Sequence, residues 1–173
     1  MSILNIIQYP DLRLRRKGYI VKDINDPKIQ KIIQDMIETL RAQKSCAALA
    51  ATQLDIENPP SITVINNLTH PQAKDIICLI NPKIVSTEGC ADEDEGCMSV
   101  GPGKIYAKVK RATKIKVTTL DLQGKSLEFA ATNYFARCIQ HECDHLNGIL
   151  YIDHLSKLKR FYIDKKVAKL AKL

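Results

Sequence analysis

Tryptophan is absent from the 173-residue chain, and aromatic residues make up only 5% of it. That scarcity argues against a nucleic-acid platform built on stacked bases. No apolar run is long enough to span a bilayer, so no membrane partner is expected. The opening Met1-Ser2-Ile3-Leu4-Asn5 lacks the basic stretch and apolar run of a secretory signal, and it lacks the Arg- and Ser-rich character of a transit peptide. Flexible linkers, internal repeats and low-complexity tracts are missing too. The expectation is a single domain, residues 1–173, able to bury a core without covalent staples. Six cysteines are present, but nothing suggests an oxidising compartment. They read as ligands, catalytic groups or core residues in a reducing cytoplasm.

What the chain does have is an uneven charge. Of a formal net charge of +7, most sits at the end, where Lys157, Lys159, Arg160, Lys165, Lys166, Lys169 and Lys172 face Asp164 alone. A solvated helix explains this, and so does docking onto an anionic partner such as structured RNA. Basicity confined to one end does not point to sequence-specific nucleic-acid binding.

Asp26-Pro27 reads as an N-cap and first helical residue. Ile29, Ile32, Ile33, Met36, Ile37 and Leu40 then recur at helical spacing, to an end near Lys44. Asn58-Pro59-Pro60 breaks the chain. Ser61–Ile65, Ile76–Ile80, Lys114–Leu120 and Ser126–Ala130 read as strands, the last two joined by a turn at Gln123-Gly124. A helix from about Thr132 to Asn147 ends at Gly148, a left-handed cap. A third helix runs from about Lys157, with Ile163, Val167 and Leu170 on one face and Lys165, Lys169 and Lys172 on another. Strands clustered between helices predict an α+β fold.

The strongest chemical signal is His141-Glu142-Cys143-Asp144-His145. Residues i and i+4 share one face of a helix, so both imidazoles can reach one ion. Glu142 is then placed to move the proton of a water acidified by that ion. Apolar Phe135, Cys138, Ile139 and Leu146 around the motif turn it towards an interior or a cleft rather than solvent. A third protein ligand is needed. The histidine of one protease layout would fall at position 151, which is Tyr151, with His154 three residues late; the glutamate of another would follow Glu142, and no Glu does. A cysteine from elsewhere in the chain is the natural candidate.

Glu95-Gly96-Cys97-Met98-Ser99, followed by Gln140 to His145 (Q-H-E-x-D-H), resembles the peptide deformylase family. Cys46-Ala47-Ala48-Leu49-Ala50-Ala51-Thr52-Gln53 is similar to the family's G-x-G-x-A-A-x-Q element, and Tyr9-Pro10-Asp11-Leu12-Arg13 and Ile80-Asn81-Pro82 resemble further family segments. The likeness spans nearly the whole chain and implies small antiparallel sheets around the helix that carries the two histidines, with an N-terminal helix and a basic C-terminal one. It implies that Cys97, His141 and His145 hold one divalent metal, Fe(II) in the cell with Zn(II) or Ni(II) as alternatives. Glu142 is then the general base and acid, while the Gln53 amide and the Met98 backbone N–H stabilise the oxyanion. Glu95 pairs with Arg111, and Ala47, Ala48, Gly96, Tyr134 and Cys138 lie along the substrate groove. The activity implied is removal of formyl from formyl-methionyl peptides by hydroxide generated at the metal, with ribosome docking through the basic terminal helix. A soft thiolate ligand suits Fe(II) or Zn(II) better than Mg or Ca. Neutral oxyanion donors stabilise developing charge without weakening a neighbouring base.

Cys46 and Ala48 stand where the family has glycine, which predicts a shifted or narrowed groove and, if φ there is positive, strain at Ala48. The continuation Val100-Gly101-Pro102-Gly103-Lys104 suggests an insertion near the cleft. Tyr134 is either core or pocket wall. Cys138 and Cys143 read as core thiols on the metal helix, and Cys46 as reactive only if exposed. The acidic run Asp92-Glu93-Asp94-Glu95 lacks the glycine and spacing of a calcium loop and reads as a solvated loop. A structural zinc site from Cys90, Cys97, Cys138 and Cys143 is disfavoured by the lack of C-x-x-C spacing. A degenerate homologue that binds metal but turns over poorly, and a protease with an unusual cysteine ligand, remain as alternatives. Catalytic rate separates the first from the enzyme, and internal peptide cleavage separates the second.

Overall fold

The computed structural model describes residues 2–66 and 76–170; Lys172 of the basic segment lies outside them. Helix α1 spans Pro27–Ala42 and begins as its sequence dictates, with the Asp26 carboxylate accepting the Lys28 N–H at 2.8 Å and Pro27 in the first turn. Its apolar stripe of Ile29, Ile33, Met36 and Leu40 is buried. Strands β1 (Ala48–Ala50), β2 (Ile62–Asn66) and β3 (Ile76–Glu88) follow. Next come β4 (Ala91–Gly96), β5 (Tyr106–Arg111), β6 (Lys114–Leu120) and β7 (Ser126–Thr132). Helices α2 (Asn133–Leu146) and α3 (Lys157–Leu170) complete the order.

Five strands form an antiparallel sheet in the order β1-β2-β3-β6-β7, and β4 and β5 form a separate two-stranded ribbon. Alternation along β2 and β3 covers both faces of the sheet. Ile62, Val64, Cys78 and Ile80 pack with the α1 stripe, while Ile65 and Leu79 pack with Ala136 and Ile139 of α2. A period of two residues sends neighbours to opposite faces, so one strand serves two cores. The ribbon joins a third cluster, in which Val109 and Ile105 meet Ile163 and Val167 of α3 as well as Cys97. The fold is α+β, as the element order predicts.

The acidic run is not a loop. Asp92, Glu93, Asp94 and Glu95 belong to β4, where Asp92 pairs in register with Lys110 and Asp94 with Lys108. Alternate acids face solvent opposite lysines, so a strand of low apolar content is tolerated at the surface. Strand β3 runs beyond Ile80 through Asn81-Pro82 to Glu88, with register shifts against β6 on the way. Asn81 sits at φ 52°, and its side-chain amide both accepts from Val21 N–H and donates to Val21 C=O, at 2.9 and 2.8 Å.

Gly148 ends α2 at φ +73°, its N–H bonded to His145 C=O at 3.0 Å and the Ile149 N–H to Asp144 C=O at 2.9 Å. A Cβ at this position would lie 2.3 Å from the Arg15 carbonyl oxygen. Gly148→Ala therefore combines a left-handed backbone with a backbone clash and should cost about 2–4 kcal/mol in denaturant unfolding; an unchanged midpoint would show that the 13–18 segment moves freely away.

Candidate metal centre

Helix α2 presents Tyr134, Cys138, His141, Glu142 and His145 along one side because these positions recur at three- and four-residue intervals. The Nε2 atoms of His141 and His145 lie 3.1 Å apart, and the Cys97 Sγ is 3.2 Å from His145 Nε2. The three donor atoms fall within 4.8 Å of one another, all on buried residues. Around a tetrahedral ion with ordinary Zn–N and Zn–S bonds, such donors stand about 3.3 Å (N to N) and about 3.6 Å (S to N) apart. The donor set thus fits a borderline-soft divalent ion in both chemistry and spacing.

The environment supports that reading. His141 Nδ1 meets Glu95 Oε1 at 2.6 Å, which leaves the Nε2 lone pair facing the other donors. Glu95 is gripped in turn by Arg111, through Nη2 at 2.8 Å and Nε at 3.1 Å. Arg111 also reaches Asp144 at 2.6 Å, and Asp144 meets His154 at 2.7 Å. Burial alone would raise the Glu95 carboxyl, but hydrogen bonds from His141 and Arg111 hold it well below the usual range. Burial keeps His145 well below its ordinary value, and therefore neutral. For His141 burial works the same way but is overcome by Cys97 and Glu95, which draw positive charge to this spot. His145 lacks a carboxylate of its own: its Nδ1 is buried without a hydrogen-bond partner among the described residues, and its ring rests edge-on against His141 with centroids 4.7 Å apart.

Glu142 is 3% exposed and its Oε2 has no partner among the described residues. Burial pushes its carboxyl up to about 7; His141 opposes the rise, and Glu95 and Asp144 add to it. A carboxyl near neutrality can both take and return a proton. Gln53 is almost wholly buried. Its Oε1 accepts the Ala50 N–H at 2.9 Å, which turns its NH2 group towards Ser99 Oγ at 3.2 Å and Cys97 Sγ at 3.5 Å. The Ser99 N–H also points at Cys97 Sγ, at 3.3 Å.

These groups open onto a cleft of about 420 Å³ lined by Ala47, Ala48, Gly96, Met98, Tyr134 and Cys138, among others. Tyr134 is 53% exposed, which makes it pocket wall rather than core. Cys138 is both, buried in the α2 cluster and bordering the cleft. Pro102 and Gly103 of the expected insertion also border it. A Cβ on Gly96 would come within 2.6 Å of the Tyr106 ring, so only glycine fits there without moving that ring.

Neither Cys46 nor Ala48 carries a positive φ, so the strain expected at Ala48 is absent; the left-handed residue is Ser45, at φ 63°. The Asn66 N–H donates to Ala47 C=O at 2.9 Å. By alternation the Ala48 peptide groups then face away from β2, towards the cleft. The Cys46 thiol lies 3.2 Å from Ala48 O. Cys46 is buried, and desolvation pushes its thiol up to about 12, which removes the reactive reading. Cys90 is exposed and all six cysteines are free; among the described residues the cysteines do not gather into a metal site of their own.

Two residues of α2 tie the centre to its surroundings, one inside the family motif and one outside it. Gln140 clamps Ala112 through both amide atoms, at 3.0 and 2.9 Å, and so docks α2 beside Arg111. Arg137, one turn before His141, donates to Glu95 Oε2, the oxygen that also accepts from Arg111 Nε. Its four-residue spacing from His141 was the available clue.

The chain matches the family model described as polypeptide deformylase over residues 3–161. It is 51% identical over 168 residues to peptide deformylase 1 of Coxiella burnetii, covering 97% of this chain and 96% of that protein. A peptide deformylase of Buchnera aphidicola is 46% identical over 172 residues, covering 99% and 95%. The crystal structure of a peptide deformylase from Legionella pneumophila superposes with a TM-score of 0.85 at 37% identity, covering 99% of this chain and 96% of that one. One from Ehrlichia chaffeensis, in complex with actinonin, gives 0.86 at 36% identity over 100% of both chains. Among the described residues no helix is long and apolar enough to cross a membrane.

Proposed function

Because the chain belongs to the polypeptide deformylase family, we propose that its work, metal-dependent hydrolysis of the formyl group from formyl-methionyl peptides, is divided among residues of three stretches: Gln53 after β1, Cys97 and Met98 after β4, and helix α2. The observation that carries this is the convergence of Cys97, His141 and His145 beside a buried carboxylate, Glu142, with an unpartnered oxygen. Cys97, His141 and His145 would hold a divalent ion, which would supply Lewis acidity and acidify a water when bound. Glu142 accepts the proton of the attacking water and delivers it to the leaving amine nitrogen. The Gln53 NH2 group, fixed by Ala50, and the Met98 backbone N–H stabilise negative charge on the formyl oxygen as the carbon becomes tetrahedral.

The peptide main chain lies between two open edges that border the cleft, β1 at Ala48 and β4 near Gly96. The methionine side chain rests against Tyr134 and Cys138. One thiolate with two imidazoles suits Fe(II) or Zn(II), and the likeness to the family selects Fe(II) as the native metal; iron with a thiolate ligand makes the enzyme sensitive to oxygen. The protein works in the reducing cytoplasm, where its free cysteines persist.

The test is formate release from a short formyl-methionyl peptide by anaerobically purified Fe(II) protein, or by the more stable Ni(II) form. Rapid release supports the reading; folded, metal-loaded protein that releases none would make the chain a degenerate relative.

Helix α3 docks at ribosomal RNA. Its lysines Lys165, Lys166 and Lys169 are exposed, while Ile163 and Val167 of the same helix are buried. Changing all three to Glu leaves the packed face intact and should weaken low-salt ribosome binding by about tenfold or more. Binding equal to that of the parent protein in a sedimentation assay would remove the docking role.

A further inference from the structure

Arg137 is 5% exposed, yet neither the metal ligands nor the proton transfer requires a cation at its position. Its guanidinium makes four contacts: Nη1 to Glu95 Oε2 at 3.3 Å and to Val109 O at 3.0 Å, Nε to Glu93 Oε2 at 3.1 Å, and Nη2 to Ala91 O at 3.2 Å. Three of these acceptors lie on β4 and one on β5, so a single α2 side chain holds both strands of the ribbon. Charge neutralisation does not account for it. Glu95 already receives two hydrogen bonds from Arg111 and one contact from His141. The remaining acid, Glu93, has a side chain 57% exposed, where an ion pair contributes little. Burying a guanidinium costs several kcal/mol unless its hydrogen bonds are made, so this arginine is an expensive way to fill the space.

What it adds is position. The proposed ligands come from two pieces of structure: Cys97 follows directly on β4, and His141 and His145 project from α2. The ribbon that carries Cys97 is not hydrogen-bonded as a strand to the five-stranded sheet against which α2 packs. The distance from Sγ to the two imidazoles therefore depends on side-chain ties between ribbon and helix, beside the contacts that Gln53 and Tyr9 make to Ser99. Those ties are His141 to Glu95, Arg111 to Asp144, Gln140 to Ala112 just past β5, and the Arg137 clamp. Of the four, only the clamp bonds the main chain of both ribbon strands.

We propose that Arg137 is a positioning residue, which locks the β4–β5 ribbon to α2 and so holds Cys97 within bonding reach of the metal that His141 and His145 bind. This rests on the metal centre proposed above. Loss of the clamp would let the ribbon shift, weaken the hold of Cys97 on the metal and shorten metal residence, with no change to any ligand.

The experiment uses Co(II), whose thiolate charge-transfer band reports the Cys97 bond directly. Parent protein, Arg137→Met and Arg137→Lys are loaded with Co(II). The band is recorded, and metal loss to a chelator is followed by absorbance, with thermal unfolding measured in parallel. Residues that support metal ligands typically change metal affinity by 10–100-fold, so Arg137→Met should release Co(II) about tenfold faster or more, with a weakened thiolate band. Arg137→Lys, which keeps the charge but not all four contacts, should fall between. A variant that unfolds at lower temperature but keeps the parental band and release rate would make Arg137 merely structural and overturn the proposal. Should Arg137→Met not fold, Arg137→Lys carries the same comparison with the same two readings. A parent protein that binds Co(II) without a thiolate band would overturn the metal centre itself, and is distinguishable because it appears before any variant is compared.

Discussion

Glu142→Ala, loaded with metal, should lose about 10²–10⁴-fold in kcat for formate release, the range that a positioned acid–base group contributes. Metal content should match the parent protein, because Glu142 is not among the three converging donors. Stability should not fall either. The side chain is 3% exposed and its Oε2 has no partner among the described residues, so truncation removes a desolvated group and orphans nothing at that atom. An unfolding temperature equal to or above the parental one, together with lost turnover, is the signature of a group held for chemistry at some expense of stability. Undiminished kcat would remove Glu142 from the mechanism. Loss of metal together with activity would make it a ligand instead.

Arg111→Leu should have the largest effect on folding. Its side chain is 5% exposed and bridges Glu95, also 5% exposed, to Asp144 at 20%. The substitution takes two hydrogen bonds from Glu95 and leaves it to Arg137 and His141, and takes the buried cation from Asp144; losing one partner of a buried pair costs about 3–5 kcal/mol. For a chain of this size that corresponds to a fall in Tm of roughly 6–20 °C. The effect reaches the centre as well, because Glu95 orients His141. A contrast lies nearby: Lys114 and Glu88 pair at 3.0 Å, but their side chains are 54% and 74% exposed. Lys114→Ala should therefore shift stability by less than about 1 kcal/mol. Equal losses at Arg111 and Lys114 in denaturant titrations would mean that burial is not what makes the first pair matter.

Some of the architecture could be read residue by residue. Helix α1 announced itself by a capping Asp26, a first-turn Pro27 and a stripe of four buried apolar residues. The β6–β7 hairpin showed alternation around a turn that holds Gly124 at φ +77°. These signals are local, since caps, periods and left-handed turns involve neighbours in sequence. Strand β1 is three residues long, too short for any period to register. Strand β4 reads as a loop because its acids need lysines fourteen to eighteen positions away, Lys108 and Lys110, to make a strand of them. Tyr134 could not be assigned to core or wall, because both readings put an aromatic on the same helical face and differ only in what stands opposite.

The chain alone determined the two imidazoles and the carboxylate of the centre, because the four-residue spacing of His141 and His145 on a helix brings them to one side whatever surrounds it. Elimination within the sequence reached as far as a cysteine ligand, and likeness to a family named Cys97. Tertiary structure decided the rest: that Sγ of Cys97 comes within 3.2 Å of His145, that Arg137 spans a ribbon, and that Glu142 sits dry. Each of these depends on how a strand pair and a helix from distant parts of the chain pack against one another. Distances across such a junction follow from the sum of many contacts, not from any spacing along the sequence.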